Sequence, residues 1–303
     1  MAIGDLYTVE TGSCTDLHYI DTGMYDTEEY GSVYILDAER PAVIDTGIGK
    51  RYDAILDAIE RVGIARDDLA VIAPTHVHLD HAGGAGYLAR ECPNAEVVIH
   101  ERGAHHIADL SRIIEGTKAV VRDQWEYYRE PIPVPDDRIR ELTDGDVIDL
   151  GDHQLVTHHA PGHAPHQAVF EDPANDAVFT ADAAGIYVPA IDGIRETTPP
   201  TDFDLEQCLA DIEMIQRIDP ETLLYGHYGP ALAEGRLDEY ADVLSAWVQS
   251  IEEVRQRYET DEAVIEHFAE ETSIDDVWGE QKARSEAALN TRGVLHYLDS
   301  REN

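Results

Sequence analysis

An α/β protein with strands and helices in separate layers is predicted by three features of this 303-residue chain. Short β-branched apolar runs recur over most of its length, and several lead directly into histidine or aspartate beside a small residue. Stretches with three- and four-residue apolar spacing fall between and after them.

Strands are predicted near Ser32 to Leu36 and Ala42 to Ile44, joined by a hairpin turn at Asp37-Ala38-Glu39-Arg40-Pro41. A helix follows from Lys50 to Val62, with Ile55, Ile59 and Val62 on one face and Gly63 placed to end it. The apolar run Leu69 to Ala73 reads as a buried strand stopped by Pro74, and Val97-Val98-Ile99 as another. Gln154 to Thr157, Ala177 to Thr180 and Thr222 to Tyr225 repeat the pattern, and a helix from Asp204 to Ile218 buries Leu209, Ile212 and Ile215. After Pro230, Leu237, Tyr240, Leu244, Val248, Ile251 and Val254 define an amphipathic helix. Further helices are expected at Glu262 to Glu270 and Glu280 to Leu298, the last weakened by Gly293.

The chemistry concentrates in Thr75-His76-Val77-His78-Leu79-Asp80-His81, at the carboxyl end of a strand. In an extended segment alternate residues share a face, so His76 and His78 reach one metal while Asp80 and His81, at the turn into a helix, aim at a second. A chance cluster among 15 histidines is the bland alternative, and the spacing makes it rare. More ligand-type residues stand at later strand ends, in His158-His159-Ala160-Pro161-Gly162-His163, Ala181-Asp182 and Gly226-His227.

From Ile44-Asp45-Thr46-Gly47 through His227 these motifs, in this order, resemble those of the metallo-β-lactamase-fold hydrolase superfamily. The resemblance, and not periodicity, implies a four-layered αββα sandwich over residues 1–230 as the catalytic domain, with 231–303 a helical C-terminal extension. It implies that His76, His78 and His163 hold one metal, that Asp80, His81 and His227 hold another, and that Asp182 bridges them. Asp45 would support the ligand loop. Two zinc ions per chain are expected, because imidazoles with a minority of carboxylates suit zinc; iron and manganese are alternatives. Such a pair acidifies a shared water to a pKa of about 7. Asp80 and Asp182 are the expected catalytic carboxylates, with Asp80 orienting that water and accepting its proton.

The chain departs from relatives that read P-G-H-T-P-G-H, carrying Pro161-Gly162-His163-Ala164-Pro165-His166-Gln167 instead. His166 is expected to support a ligand rather than touch substrate. One of His158 and His159 is expected to be a satisfied core histidine. Tyr187, Tyr228 and Arg112 are candidate substrate contacts, because the tyrosines neighbour Asp182 and His227 and arginine clamps carboxylates. Tyr225, on the other side of His227, is expected to bring a further phenol near the metals. Arg112 falls in a segment from Gly103 to Asp137 that is either a lid or a surface helix.

Asp182 occupies the place where cysteine-ligand β-lactamases carry cysteine, and no H-x-E-x-D motif of the diiron flavoproteins is present. The resemblance favours a hydrolase of a small ester, thioester or lactone, similar to glyoxalase II. Alternatives are an iron-dependent persulfide dioxygenase, a nuclease or phosphodiesterase without the long basic arm of transfer-RNA-processing members, and a non-catalytic metalloprotein. Acidic residues number 62 against 22 basic ones, and a net charge of −40 repels phosphate backbones, so no nucleic-acid partner is expected. Lys50, Lys118 and Lys282 are the only lysines, a composition that suits a salt-rich cytoplasm. Cys14, Cys92 and Cys208 are too few and too scattered for a disulfide framework and are expected to be small buried hydrophobes. No leader or membrane span is apparent, so a cytoplasmic protein acting on a small molecule, with homodimerisation open, is expected.

Overall fold

The computed structural model describes residues 2–302. The first sheet contains β1 (Leu6–Thr8), β2 (Leu17–Asp21), β3 (Ser32–Leu36), β4 (Ala42–Ile44), β5 (Val71–Ala73), β6 (Glu96–His100) and β7 (Ile139–Leu142), side by side in chain order. Neighbours are antiparallel from β1 to β4 and parallel from β4 to β7. The second sheet contains β8 (Val147–Asp149), β9 (Gln154–His159), β10 (Ala168–Asp172), β11 (Ala177–Ala181) and, after a separate hairpin of β12 (Ile186–Val188) and β13 (Gly193–Arg195), β14 (Thr222–Tyr225) and β15 (Gly229–Leu232). Its spatial order is β15-β14-β11-β10-β9-β8.

The helices are α1 (Tyr52–Val62), α2 (Leu79–Ala82), α3 (Ala85–Glu91), α4 (Glu101–Ala108), α5 (Ser111–Val121), α6 (Leu205–Ile218), α7 (Arg236–Arg255), α8 (Asp261–Glu270), α9 (Asp275–Trp278) and α10 (Glu280–Glu302).

Strand alternation creates the layers. On β3, Val33 and Ile35 join the cluster under α1, α3 and α4, while Tyr34 and Leu36 join the cluster between the sheets. Leu155, Phe170, Phe179 and Leu224 meet them there from the second sheet. The outer face of that sheet, through Val169, Val178, Leu223 and Tyr225, packs on α6, α7 and α10 by way of Ile212, Ile215, Tyr240, Leu244, Ile251 and Val294. Four layers result, helix, sheet, sheet and helix.

Helix α1 begins at Tyr52, two residues later than its apolar spacing suggests, because Gly49 (φ 76°) and Arg51 do not adopt helical dihedrals. It ends at Gly63 (φ 110°), whose N–H returns to the Glu60 and Ile59 carbonyls. Asp204 caps α6 by accepting from the Gln207 N–H at 2.9 Å. Gly293 does not break α10. A Cβ there would stand 1.8 Å from the Thr198 carbonyl oxygen, so the missing side chain lets the helix seat against Thr198 and Pro199. Asn290 fastens the contact, its Oδ1 accepting from the Thr198 N–H and its carbonyl from the Thr198 hydroxyl, each at 2.8 Å.

His158 and His159 depart from expectation, since neither is a core residue. Both are half-buried on β9, His158 Nε2 pairing with Glu171 at 2.7 Å and His159 Nε2 bonding the Pro165 carbonyl while its ring stacks on His100. Cys92 and Cys208 are buried free thiols, and Cys14 is partly exposed. Among the described residues no helix is long and apolar enough to cross a membrane.

Candidate metal centre

The loops at the carboxyl ends of β4, β5, β9, β11 and β14 meet at one edge of the two sheets and carry Asp45, the segment from Thr75 to His81, His163, Asp182 and His227. Local chain geometry aims them. Strand β11 shifts register against β14 between Phe179 and Ala181, and Ala181 takes a left-handed conformation (φ 49°) directly before Asp182. Gly226 precedes His227 because a Cβ there would approach His81 Cε1 to 2.9 Å.

His76 Nε2, His78 Nδ1 and His163 Nε2 converge, with His78 Nδ1 3.0 Å from His76 and 3.1 Å from His163. His81 Nε2 and His227 Nε2 lie 3.2 Å apart beside Asp80, whose Oδ2 is 3.8 Å from His227. Asp182 stands between the groups. Its Oδ2 is 3.4 Å from His76, 3.4 Å from His163 and 3.0 Å from His81, and its Oδ1 is 3.6 Å from His227. Ligands on a tetrahedral zinc with Zn–N of about 2.0–2.1 Å lie roughly 3.3 Å from one another, so the spacing fits metal coordination. Among the described residues three triads bring one ligand atom each within 4.8 Å of one another: His76, His78 and His163; His76, His81 and Asp182; Asp80, His81 and His227.

The far side of each ring decides which nitrogen stays available. His81 Nδ1 donates to Asp45 Oδ2 at 2.8 Å, and His227 Nδ1 donates to the Tyr30 carbonyl at 3.0 Å, leaving both Nε2 lone pairs for a metal. Thr75 Oγ1 lies 3.2 Å from His76 Nδ1. Asp45, held at φ 61°, also accepts from the Thr75 N–H and hydroxyl at 2.8 and 2.9 Å. One buried carboxylate thus ties the β4 and β5 loops together. Asp45→Ala is expected to weaken metal binding by about 10–100-fold and to lower stability by on the order of 3 kcal/mol. Chelator competition and urea unfolding read the two effects, and native-like values in both would remove this role.

Burial pushes the His76 and His78 imidazoles below their ordinary range and His163 down to about 4, which keeps them neutral and able to ligate. Burial also opposes charge on Asp182, but His163, His81 and His227 outweigh it and hold the carboxyl well below its usual range. Burial likewise opposes protonation of His81, where Asp45 and Asp182 win and raise it.

Asp211 on α6 supports the third motif, accepting from the Gly162 N–H at 2.7 Å and from Gln207 Nε2 at 2.9 Å. Burial raises its carboxyl to about 6. Between about pH 4 and 6 the folded chain therefore keeps a proton that the unfolded chain releases, so this residue's contribution falls as pH rises through that window. Stability of Asp211→Asn relative to the parent is expected to improve by about 2–3 kcal/mol from pH 4 to pH 7. Parallel denaturation curves at the two pH values test this, and a constant difference would contradict it.

A cavity of about 220 Å³ opens onto His78, Asp80, His163, Asp182 and His227. Leu79, Ile113, Val120, Val121, Ile186 and Leu289 give it apolar walls, contributed by α2, α5, β12 and α10, and Tyr25, Tyr30 and Tyr128 add phenols. The segment from Gly103 to Asp137 therefore does flank the cavity, with Arg112 exposed at its edge. His166 also lines it. Burial drives that imidazole down to about 2, and its Nδ1 has no hydrogen-bond partner.

The two tyrosines chosen for their place in the sequence lie outside the cavity lining. Strand β12 turns the Tyr187 side chain towards Asp192, to which its hydroxyl donates at 3.1 Å, and only its backbone N–H meets the site, at the His227 carbonyl (2.6 Å). Tyr228 points between the sheets, with its ring 6.1 Å from that of Tyr19. Tyr225 is also buried away from the cavity. In their place stand Tyr25, Tyr30 and Glu286, none of which carries a local sequence signal. Lys282, one of only three lysines, packs behind them.

Two packed sheets flanked by helices, with clustered histidines and aspartates at one sheet edge that could hold metal ions, define an αββα sandwich with a candidate metal centre. The chain belongs to the metallo-beta-lactamase superfamily, whose family model matches residues 26–227. It is 27% identical over 222 residues to the metallo-beta-lactamase fold-containing protein ST1585 of Sulfurisphaera tokodaii, covering 71% of this chain and 79% of that one. It is 28% identical to the human acyl-coenzyme A thioesterase MBLAC2 (72% and 80% covered) and 27% identical to an N-acyl homoserine lactonase of Bacillus thuringiensis (58% and 62% covered). The crystal structure of the archaeal superfamily protein from Sulfolobus tokodaii superposes with a TM-score of 0.71 at 21% identity, covering 96% of this chain and all of that one.

Proposed function

We propose that the protein is a dinuclear zinc hydrolase that cleaves a small ester, thioester or lactone. The position of Asp182 carries this reading, because one carboxylate reaches imidazoles of both ligand groups and also faces the cavity. Metal ions held by these residues would supply Lewis acidity and a bound water acidified towards a pKa of about 7. Asp80 stays ionised, because His81, His227 and His78 overcome the effect of its burial, and it lines the cavity. It is therefore placed to orient the attacking water and take its proton. Asp45 and the Tyr30 carbonyl hold His81 and His227 in one tautomer while this happens.

The apolar walls suit a hydrocarbon chain beside the scissile carbonyl. Two relatives carry names for cleavage of acylated compounds, one a thioester and one a lactone, which supports the same substrate range. The test is turnover of hexanoyl-coenzyme A, S-lactoylglutathione and N-hexanoyl homoserine lactone by zinc-loaded protein in molar potassium chloride, where a chain of net charge −40 is screened. Turnover of at least one, lost on chelation, is expected. Oxygen uptake with a persulfide, or cleavage of phosphodiesters alone, would overturn the assignment.

A further inference from the structure

Three phenols line the cavity, and their hydroxyl protons can be counted. Tyr30 donates to Glu286 Oε2 at 2.9 Å, so its proton is committed. The Tyr25 and Tyr128 hydroxyls lie 2.5 Å apart. One hydrogen bond between two phenols uses one of their two protons and leaves the other for something else.

The surroundings decide which proton is left. The ammonium of Lys282 sits 4.0 Å from the centre of the Tyr25 ring and 3.9 Å from that of Tyr30, a cation against two aromatic faces. A positive charge over the Tyr25 ring makes that phenol the better donor of the pair. Tyr25 also holds a left-handed backbone (φ 57°, ψ 26°), which aromatic residues rarely adopt. Segments around residues 25, 128 and 282 converge here, and Trp125 stacks on Tyr128 from behind at 5.1 Å.

We propose that Tyr25 donates to Tyr128 and that Tyr128, its own proton free, hydrogen-bonds an oxygen of the bound substrate. Accepting from Tyr25 polarises the Tyr128 O–H and strengthens it as a donor. Burial keeps both phenols protonated throughout the working range. Tyr128 thus fills the role that the sequence suggests for Tyr187. The ligand is an oxygen acceptor, a carbonyl or carboxylate, with an apolar chain against Ile113 and Val120. This deepens the hydrolase reading and rests on it for the identity of the oxygen.

The test measures binding of hexanoate to zinc-loaded protein by calorimetry, together with kcat and KM on whichever ester is turned over. Tyr128→Phe keeps the ring and the Trp125 stack, so metal content and Tm are expected to hold while hexanoate binding weakens about tenfold or more. Tyr25→Phe, which leaves the Tyr128 proton in place, is expected to weaken binding by less than about threefold. Native-like hexanoate affinity in Tyr128→Phe overturns the proposal. So does a larger loss in Tyr25→Phe than in Tyr128→Phe, and so does failure of the native protein to bind hexanoate. If hexanoate binding responds as expected while no ester is cleaved, the hydrolase reading falls and the phenol contact stands.

Discussion

If the protein is the dinuclear hydrolase proposed, replacing Asp182 with asparagine is expected to reduce turnover by about 10³-fold or more and to lower the bound metal from two ions to one or fewer, with the fold intact. Asp182 reaches across the whole cluster, touching His76, His163 and His81 through Oδ2 and His227 through Oδ1. Asparagine has nearly the same shape. It lacks the negative charge that offsets two cations, and one of its two terminal atoms is a donor that cannot ligate. The effect should therefore be specific to metal and activity. Metal analysis after gel filtration, circular dichroism and initial rates measured on the same samples separate the possibilities. Two retained metals with turnover within tenfold of native would mean that Asp182 does not bridge.

The cluster of candidate ligands is legible in the sequence because each part is local. A short β-branched strand, a stop such as Pro74, and histidines at alternating positions state both the place and the direction of the side chains. Asp182 is legible for the same reason, at the end of Ala177-Val178-Phe179-Thr180. The sandwich required the resemblance, since β4 and β5 are three residues each and their pairing is a long-range choice.

The cavity wall is not legible in the sequence, for two physical reasons. Proximity in sequence does not fix which way a side chain points: one step along β12 flips the face, which turns Tyr187 away, and the turn between β14 and β15 sends Tyr228 between the sheets. Lys282 and Glu286 lie in Glu280-Gln281-Lys282-Ala283-Arg284-Ser285-Glu286, which reads as the solvated side of a charged helix with an i, i+4 pair. That face is buried where α10 docks, Gly293 against Thr198 and Pro199, Asn290 on Thr198, and Lys282 against the Tyr25 and Tyr30 rings. The other lysines share its dependence on aromatic rings. Lys50 lies 5.2 Å from the centre of the Tyr127 ring and Lys118 4.5 Å from that of Trp125, so each lysine this acidic chain retains has a packing partner.

Lys282→Met is therefore expected to be among the most destabilising single substitutions in the C-terminal helices. Lys282 and Glu286 are both buried and bonded Nζ to Oε2, and Glu286 also accepts from the Tyr30 hydroxyl and from Asn290 Nδ2. Methionine restores most of the volume against the Tyr25 and Tyr30 rings but leaves a carboxylate buried without its cation, at a cost of about 3–5 kcal/mol. In a chain of this size that corresponds to a fall of roughly 5–8 °C in Tm. The double variant Lys282→Met/Glu286→Gln removes the stranded charge, keeps an acceptor for Tyr30, and should regain most of the loss, because replacing both partners of a buried pair is often close to neutral. Salt supplies a second discriminator. A surface pair is screened as potassium chloride rises from 0.2 to 3 M, whereas this one is shielded from solvent, so the difference between parent and single variant should stay constant over that range. A penalty that shrinks with salt, or a double variant no more stable than the single, would show that the pair contributes as a surface bridge and that α10 is held by Asn290 and apolar packing alone.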